Sequence, residues 1–246
     1  GEKVRIDTTA VETNIHYPTD SSLLADGVRV RTRTLHRIRA EVDGAGLEVR
    51  DRTRSMARRV FEIAQRSRKA TARTGTAVRD RTKARMTQLY REVMAITRAT
   101  VRQAETVSAA IGETKDLGVQ ALRDQLHETV GLVRRVLAQT RARVLKGDTH
   151  YPDKVLSIFE PQTEAIRKGK AAKPTEFGKV VKIQEAEGGL VTDYTVCPTR
   201  MPDQELWQPA LTKHHELFGR PPKLAVADGG FASKATERAA PELAVD

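Results

Sequence analysis

The sequence predicts an α/β fold in which a mixed sheet is interrupted by a long all-α insertion of the helical-bundle or coiled-coil type. Short apolar runs with strand-like alternation occur near both ends of the 246-residue chain. Between them, apolar residues recur at the three- and four-residue spacing of helices. The predicted divisions are therefore 1–19 for the first strand and loop, 20–147 for the helical insertion, and 148–246 for the remainder of the sheet domain.

The first predicted strand is short and leads to an aspartate. Val4 and Ile6 alternate with charged residues, and Asp7 follows. The residues after Asp7 are small or polar as far as Pro18, so an irregular loop is expected there. A carboxylate at the end of a buried strand is costly unless a metal or a partner neutralises it. Asp7 is therefore a candidate for one half of a divalent-metal site.

Four helices are predicted in the insertion, at 20–42, 47–72, 76–110 and 114–146. Asp20 is the expected N-cap of the first, because a short acidic side chain can accept hydrogen bonds from the free N–H groups of a helix start. Gly147 lies where a helix-ending glycine is expected. Asp43 to Gly46, Thr74-Gly75 and Gly112 separate the helices.

The chain changes character after Gly147. The predicted elements are a hairpin of strands 177–184 and 190–197, a helix at 204–218, a buried strand at 223–230 and a helix at 231–239. Asp203 is the expected N-cap of the first of these helices, and Gly219 is expected to end it. The buried strand again ends in an aspartate, Asp228.

Charge predicts a polyanionic partner. The formal net charge is +11, and residues 29–147 hold 28 Lys and Arg against 12 Asp and Glu. Arginine keeps its charge in nearly every environment and grips phosphate with a planar fork, so this excess favours a phosphate-backbone surface. The alternative is a solvated helical bundle whose arginines only keep it soluble. Charge alone predicts no reading of base sequence.

Other site types are excluded by what the sequence contains. Cys197 is the only cysteine, so an internal disulfide and a cysteine-rich zinc site are excluded. His214 and His215 lie in mid-helix without further ligands at zinc spacing. There is no glycine-rich phosphate loop, so no nucleotide cofactor is expected. No apolar run is long enough to cross a bilayer, so no membrane partner is expected.

The two strand-end aspartates form the candidate constellation. If both strands belong to one mixed sheet, Asp7 and Asp228 can reach the same ion. Mg²⁺ prefers one or two protein carboxylates together with phosphate oxygens of the substrate. Two such ions about 3.5–4 Å apart assist phosphodiester cleavage. The alternative is that each aspartate is an ordinary turn or cap residue.

Several longer motifs carry a family resemblance. They are Ile6 to Asp20 (IDTTAVETNIHYPTD), Phe159-Glu160-Pro161, Ile166 to Lys170 (IRKGK), Lys173 to Gly178 (KPTEFG) and Ala227 to Phe231 (ADGGF). With these motifs the sequence resembles insertion-sequence transposases of the DDE type, whose catalytic domain has a ribonuclease-H-like fold. The first and fourth motifs are the specific ones. The helical block looks like the insertion found in one branch of these enzymes.

The resemblance implies a DNA transposase that cleaves phosphodiester bonds and transfers strands of an insertion sequence. Asp7 would be the first and Asp228 the second metal-binding carboxylate, at a two-metal Mg²⁺ or Mn²⁺ site. The implied partners are double-stranded DNA, both transposon ends and target, and further copies of the chain in a homo-oligomer. The implied location is the bacterial cytoplasm, in association with the nucleoid.

The third catalytic acid of such enzymes, a glutamate, is expected several tens of residues beyond Asp228. Glu237 and Glu242 come too soon, and the role is not assigned to them. The catalytic domain is therefore expected to be truncated, with a DNA-binding region also missing before Gly1. An alternative function is a catalytically inactive transposase fragment that only binds DNA or oligomerises. A weaker one is a ribonuclease-H-like nuclease acting on RNA.

Further residues are predicted to contact DNA phosphates. Most lie in a basic segment before the hairpin, and one follows Asp7. They are Arg167, Lys168, Lys170, Lys173, Thr175 and His16. The alternatives are an ordinary solvated loop for the segment and a packed, hydrogen-bonded side chain for His16.

Overall fold

A computed structural model describes residues 1–42, 47–70, 76–167, 174–198 and 201–233 of the chain. The chain divides into two compact units. Residues 1–15 and 162–246 form the first, here called the sheet unit. Residues 16–161 form the second, here called the helical unit.

Four helices lie in the described residues of the helical unit, as the apolar spacing predicts. They are α1 (Asp20–Glu41), α2 (Thr53–Ala70), α3 (Thr76–Ile111) and α4 (Leu117–Lys146). Their inward faces form one aliphatic cluster that includes Leu24, Val28, Leu89, Val93 and Val133. Because aromatic residues make up only 4% of the chain, branched aliphatic side chains supply most of this core.

Helix α2 begins at Thr53, six residues later than predicted. The carboxylate of Asp51 accepts hydrogen bonds from the backbone N–H (2.7 Å) and the hydroxyl (2.6 Å) of Thr53. These bonds lower the pKa of Asp51 and form a turn that starts the helix. Leu47 and Val49 still pack against the core, although their backbone is not helical. Their apolar spacing therefore indicated burial rather than a helix.

The N-cap of α1 is Thr19, so the prediction of Asp20 is wrong by one residue. The Thr19 hydroxyl accepts from the Ser22 N–H (3.2 Å), and the Ser22 hydroxyl accepts from the Thr19 N–H (3.1 Å), which is a reciprocal capping box. Asp20 is the first helical residue. Its buried carboxylate accepts hydrogen bonds from Arg143 and Gln139 of α4 instead.

The ends of α4 follow from its sequence. The carboxylate of Asp116 caps the helix by accepting from the N–H groups of Gly118 (2.8 Å) and Val119 (3.0 Å), so the helix begins three residues later than predicted. At the other end Gly147 adopts φ 74°, a left-handed conformation that glycine tolerates best. This confirms the predicted helix-ending glycine.

The described part of the sheet unit contains five strands and one α-helix. They are β1 (Lys3–Glu12), β2 (Glu164–Ile166), β3 (Glu176–Ala186), β4 (Leu190–Val196), α5 (Asp203–Phe218) and β5 (Leu224–Ala227). Strand β3 pairs antiparallel with β1 along one edge and with β2 and β4 along the other. Strand β5 pairs parallel with the free edge of β1. The sheet is therefore mixed, with β1 between β3 and β5.

Two strand predictions need correction. Strand β1 does not end at Asp7 but continues to Glu12, because it pairs with β3 from Val4, opposite Ala186, to Glu12, opposite Gly178. Strand β5 is not fully buried, since Leu224 and Val226 are 38% and 49% exposed. Strand β2 was not predicted at all.

Helix α5 covers one face of the sheet. Leu206, Ala210 and Leu211 of the helix pack in one cluster with Val4 and Ile6 of β1. Gly219, at φ 68°, ends the helix as predicted.

The start of α5 differs from the prediction. Pro202 occupies the N-cap position and Asp203 is the first helical residue, so Asp203 is not the N-cap. A helix was predicted at 231–239. Phe231 instead ends a short 3₁₀ turn, Gly229–Phe231, and residues from 234 onward lie outside the described part. Among the described helices, none combines the length and the apolarity needed to span a membrane.

Candidate functional site

The structure makes the backbones of the two predicted aspartates neighbours. Ile6 of β1 pairs with Ala227 of β5 in parallel register, and Asp7 and Asp228 each follow directly. Neighbouring strands lie about 4.8 Å apart. The backbones of Asp7 and Asp228 are therefore neighbours at the point where β1 and β5 part, although they are 221 positions apart in the chain.

Asp7 lies within β1 and is half-exposed rather than buried. Its side chain is 51% exposed, and its Oδ2 lies 3.7 Å from Nη2 of Arg5, two positions earlier on the same face of the strand. Its Oδ1 accepts the N–H of Thr8 at 2.8 Å. Asp7 and Arg5 line a cavity of about 100 Å³ together with Thr9, Ile183 and Glu185. The half-exposed carboxylate of Asp7 therefore lies at the wall of a small cavity.

Asp228 has a turn role as well as its place beside Asp7. Its Oδ1 accepts the N–H of Gly230 at 2.9 Å and so caps the short turn Gly229–Phe231. Phe231 is buried and its ring lies 6.4 Å from that of Trp207. In the described part of the chain, Oδ2 of Asp228 accepts no hydrogen bond. One oxygen therefore shapes the turn and the other is open.

A third carboxylate, that of Asp203, lies at the same turn. The Thr8 hydroxyl donates to Asp203 Oδ1 at 3.1 Å. A Cβ atom placed on Gly230 would lie 2.8 Å from Asp203 Oδ2 and 3.0 Å from Asp228 Oδ1. Asp203 and Asp228 therefore converge on Gly230, and a larger residue there would require these side-chain oxygens to move. No sequence pattern predicts that Asp203 and Asp228 lie together, because an aspartate at a helix start is usually a cap.

The residues fit a divalent metal in ligand type. Asp7 and Asp228 offer the carboxylate oxygens that Mg²⁺ and Mn²⁺ prefer, and both residues are at least partly exposed. Asp203 is not grouped with Asp7, because Thr8, which binds Asp203, points to the opposite face of β1 from Asp7. Within residues 1–233, gaps excepted, no group of three or more His, Cys, Asp or Glu side chains could hold a metal ion.

The basic segment predicted to contact DNA is only partly described. Arg167 follows β2 and is exposed, and Thr175 precedes β3 and is half-buried. Lys168, Lys170 and Lys173 lie outside the described residues. The side chain of Arg167 is therefore accessible to a partner at the edge of the sheet unit.

His16 belongs to the helical unit and is engaged at both ring nitrogens. Its Nε2 lies 2.7 Å from Oδ2 of Asp26, and its Nδ1 lies 3.2 Å from the carbonyl oxygen of Tyr17. The hydrogen bond with Asp26 raises the pKa of His16. Asp26 also pairs with Arg29 at 2.9 Å. These contacts are those of the alternative reading, a hydrogen-bonded side chain near the start of α1.

The raised pKa of His16 predicts a pH-dependent contribution to stability. Protonated His16 stabilises the folded state fully below its unfolded pKa of about 6.5, and the contribution is lost as pH rises through the higher folded pKa. Because His16 is half-exposed, we expect less than about 1 kcal/mol. His16→Gln should lower the urea midpoint at pH 5.5 and leave it unchanged at pH 8.5. His150→Gln, at an exposed histidine of the same unit, is the control; equal effects of both variants would contradict the prediction.

Several arginines of α2 and α3 form ion pairs with glutamates of the same two helices. Arg59 Nε lies 2.7 Å from Glu92, and Arg66 Nε and Arg85 Nη2 lie 2.9 and 3.0 Å from Glu62. The hydrogen bonds from Arg85 and Arg66 lower the pKa of Glu62 to about 2. Part of the positive charge of the helical unit is therefore used inside it, and only the remainder is available to a partner.

No protein-family model, curated protein or solved structure matches this chain.

Proposed function

We propose that this chain is part of a DDE-type DNA transposase with a ribonuclease-H-like catalytic domain. The observation that carries the proposal is the position of Asp7 and Asp228, which directly follow paired residues of neighbouring parallel strands. The order of the sheet supports it, with β1 antiparallel to one strand of a hairpin and parallel to β5. So do the sequence motifs around both aspartates.

Asp7 and Asp228 would hold Mg²⁺ or Mn²⁺. A bound divalent metal supplies activation of the attacking oxygen and stabilisation of the leaving 3′ oxygen in phosphodiester cleavage. Arg5 lies 3.7 Å from the Asp7 carboxylate and offsets part of its negative charge. The Asp228 turn is fixed by the Gly230 N–H, so this carboxylate is oriented before any ligand arrives.

Double-stranded DNA is the proposed substrate, with Arg167 and the lysines at 168, 170 and 173 as phosphate contacts. The proposed setting is a homo-oligomer in the bacterial cytoplasm. The alternative function, a DNA-binding fragment without catalysis, is favoured by one observation: in the described residues no third acid completes a group with Asp7 and Asp228.

Calorimetric titration with Mn²⁺ and nicking of supercoiled plasmid test the proposal. Asp7→Asn and Asp228→Asn should each weaken Mn²⁺ binding and slow nicking by about 10³-fold or more. Both carboxylates would belong to one metal site, so the loss of either one disrupts the whole site. Glu187→Gln, at an exposed turn between β3 and β4, is the matched control. Thermal unfolding without metal should be the same for all four proteins.

The outcomes separate the two functions. Wild-type metal binding and nicking in both aspartate variants would overturn the proposed active site. Metal binding that depends on Asp7 and Asp228, together with DNA binding but no nicking, would favour the non-catalytic fragment.

A further inference from the structure

Helix α2 separates its charges into two faces. It holds six basic residues and a single acid, Glu62. Met56 and Ile63 are buried in the core of the helical unit. Glu62 is bound to Arg66 and Arg85. The side of the helix opposite the core therefore carries no acid.

That side is here called the outer face of α2. Its residues recur at the three- and four-residue spacing of one helix face, and all are exposed. They are Arg54, Ala57, Arg58, Phe61, Ala64, Gln65 and Arg68. Arg54 and Arg58 form no ion pair with any acid of the described residues. From Arg54 to Arg68 the face is about 21 Å long, at 1.5 Å per residue.

The centre of the outer face is not basic. Phe61, 66% exposed, and Gln65 occupy it, with Ala57 and Ala64 beside them. The alanines leave the helix backbone accessible to a close partner. An exposed phenylalanine between arginines suits a partner that presents phosphates outside and flat or methyl-bearing groups inside. Duplex DNA has this arrangement in its major groove, which admits an α-helix.

We infer that the outer face of α2 enters the major groove of duplex DNA. Arg54, Arg58 and Arg68 contact phosphates at the two ends of the face. Gln65 hydrogen-bonds adenine, and Phe61 packs on the thymine methyl group, so the centre reads A·T pairs. The inference rests on the proposed function only in taking DNA as the partner.

A membrane surface fits this helix less well. A helix that lies in a membrane interface inserts its apolar face between the lipids. The apolar face of α2 is already buried, since Met56 and Ile63 are 1% and 2% exposed. The outer face offers only one large apolar side chain. The arrangement therefore favours groove binding over lipid binding.

The first test measures phosphate contacts. Binding of a fluorescein-labelled 30-base-pair duplex of random sequence is followed by anisotropy between 50 and 300 mM NaCl. Each phosphate contact contributes about 0.9 to the slope of log affinity against log salt. Arg54→Gln/Arg58→Gln should lower the slope by about 2. Arg33→Gln/Arg37→Gln removes the same charge from exposed arginines of α1 at the same spacing, and should leave the slope unchanged.

The second test measures base reading. Wild-type protein and the Phe61→Ala/Gln65→Ala variant each select duplexes from a pool with a randomised 12-base-pair centre. The wild type should enrich a motif containing A·T pairs. The variant should lose that enrichment while binding random duplex within about threefold of wild type. Because all the changes are at exposed positions, we expect each variant to fold, and circular dichroism checks this.

Three results would overturn the inference. These are no binding of duplex by the wild-type protein at 50 mM NaCl, equal loss of slope in the two arginine variants, and identical selected sequences for wild type and Phe61→Ala/Gln65→Ala. Asp7→Asn should keep the wild-type slope and motif. Failure of the catalytic proposal is thus seen in nicking and failure of this inference in binding.

Discussion

Gly178→Ala should lower the free energy of unfolding of the sheet unit by about 3 kcal/mol or more, at the upper end of what overpacking costs. An added Cβ would lie 2.0 Å from the carbonyl oxygen of Val11, 2.8 Å from its carbonyl carbon and 2.9 Å from Cα of Glu12. All three are backbone atoms, so no side-chain rotation relieves the clash. Gly178 also joins β3 to both β1 and β2, opposite Glu12 and Glu164.

Urea unfolding followed by Trp207 fluorescence measures this effect. Trp207 is the only tryptophan of the chain and packs in the core of the sheet unit, so its signal reports that unit. Gly229→Ala is the matched control, because a Cβ there meets no atom within 4 Å. The same urea midpoint in both variants would show that β1 and β3 do not approach as closely as described. We also expect Gly178→Ala, but not Gly229→Ala, to lose nicking activity, because the clash displaces β1, which carries Asp7.

The juxtaposition of Asp7 and Asp228 was predictable from element order, because each apolar strand run is followed by an aspartate. The interior position of Asp7 was not. Its strand continues to Glu12 only because β3, more than 160 residues later, supplies a partner edge. Strand β2 is three residues long and exists only by pairing with β3. Such elements depend on tertiary pairing and leave little pattern of their own in the sequence.

The choice of helix N-caps also depends on residues that are distant in the sequence. Thr19 and Asp20 are both suitable N-caps by residue type. What decides between them is Arg143, 123 residues away, which binds the Asp20 carboxylate and leaves the cap to Thr19. Asp203 is similar, since its contact with Thr8 spans 195 positions. The helices themselves were predictable because their apolar spacing is long and regular, and α3 and α4 end within one residue of the predicted positions.

Arg31→Met should raise the free energy of unfolding of the helical unit by about 1–4 kcal/mol, the range found when buried charges are replaced by apolar residues of similar size. Arg31 is 0% exposed, and none of its Nε, Nη1 and Nη2 atoms has a hydrogen-bond partner among the residues that the structure describes. A buried charge without a partner destabilises the folded state. Circular dichroism at 222 nm during urea unfolding measures the change, and Arg33→Met, at an exposed arginine, should give none.

The pH dependence of the free energy of unfolding is a second, independent test of the buried Arg31 charge. Burial lowers the pKa of Arg31 to about 9. Between about pH 9 and the higher pKa of an exposed arginine, the unfolded chain binds the proton that the folded chain has released, so the stability of the wild type rises with pH through this window. We therefore expect the advantage of Arg31→Met to be full at pH 8 and smaller at pH 10, by up to about 1.4 kcal/mol for each pH unit above 9. An advantage that is constant with pH, or a loss of stability at pH 8, would mean that the Arg31 guanidinium finds a partner inside the folded unit.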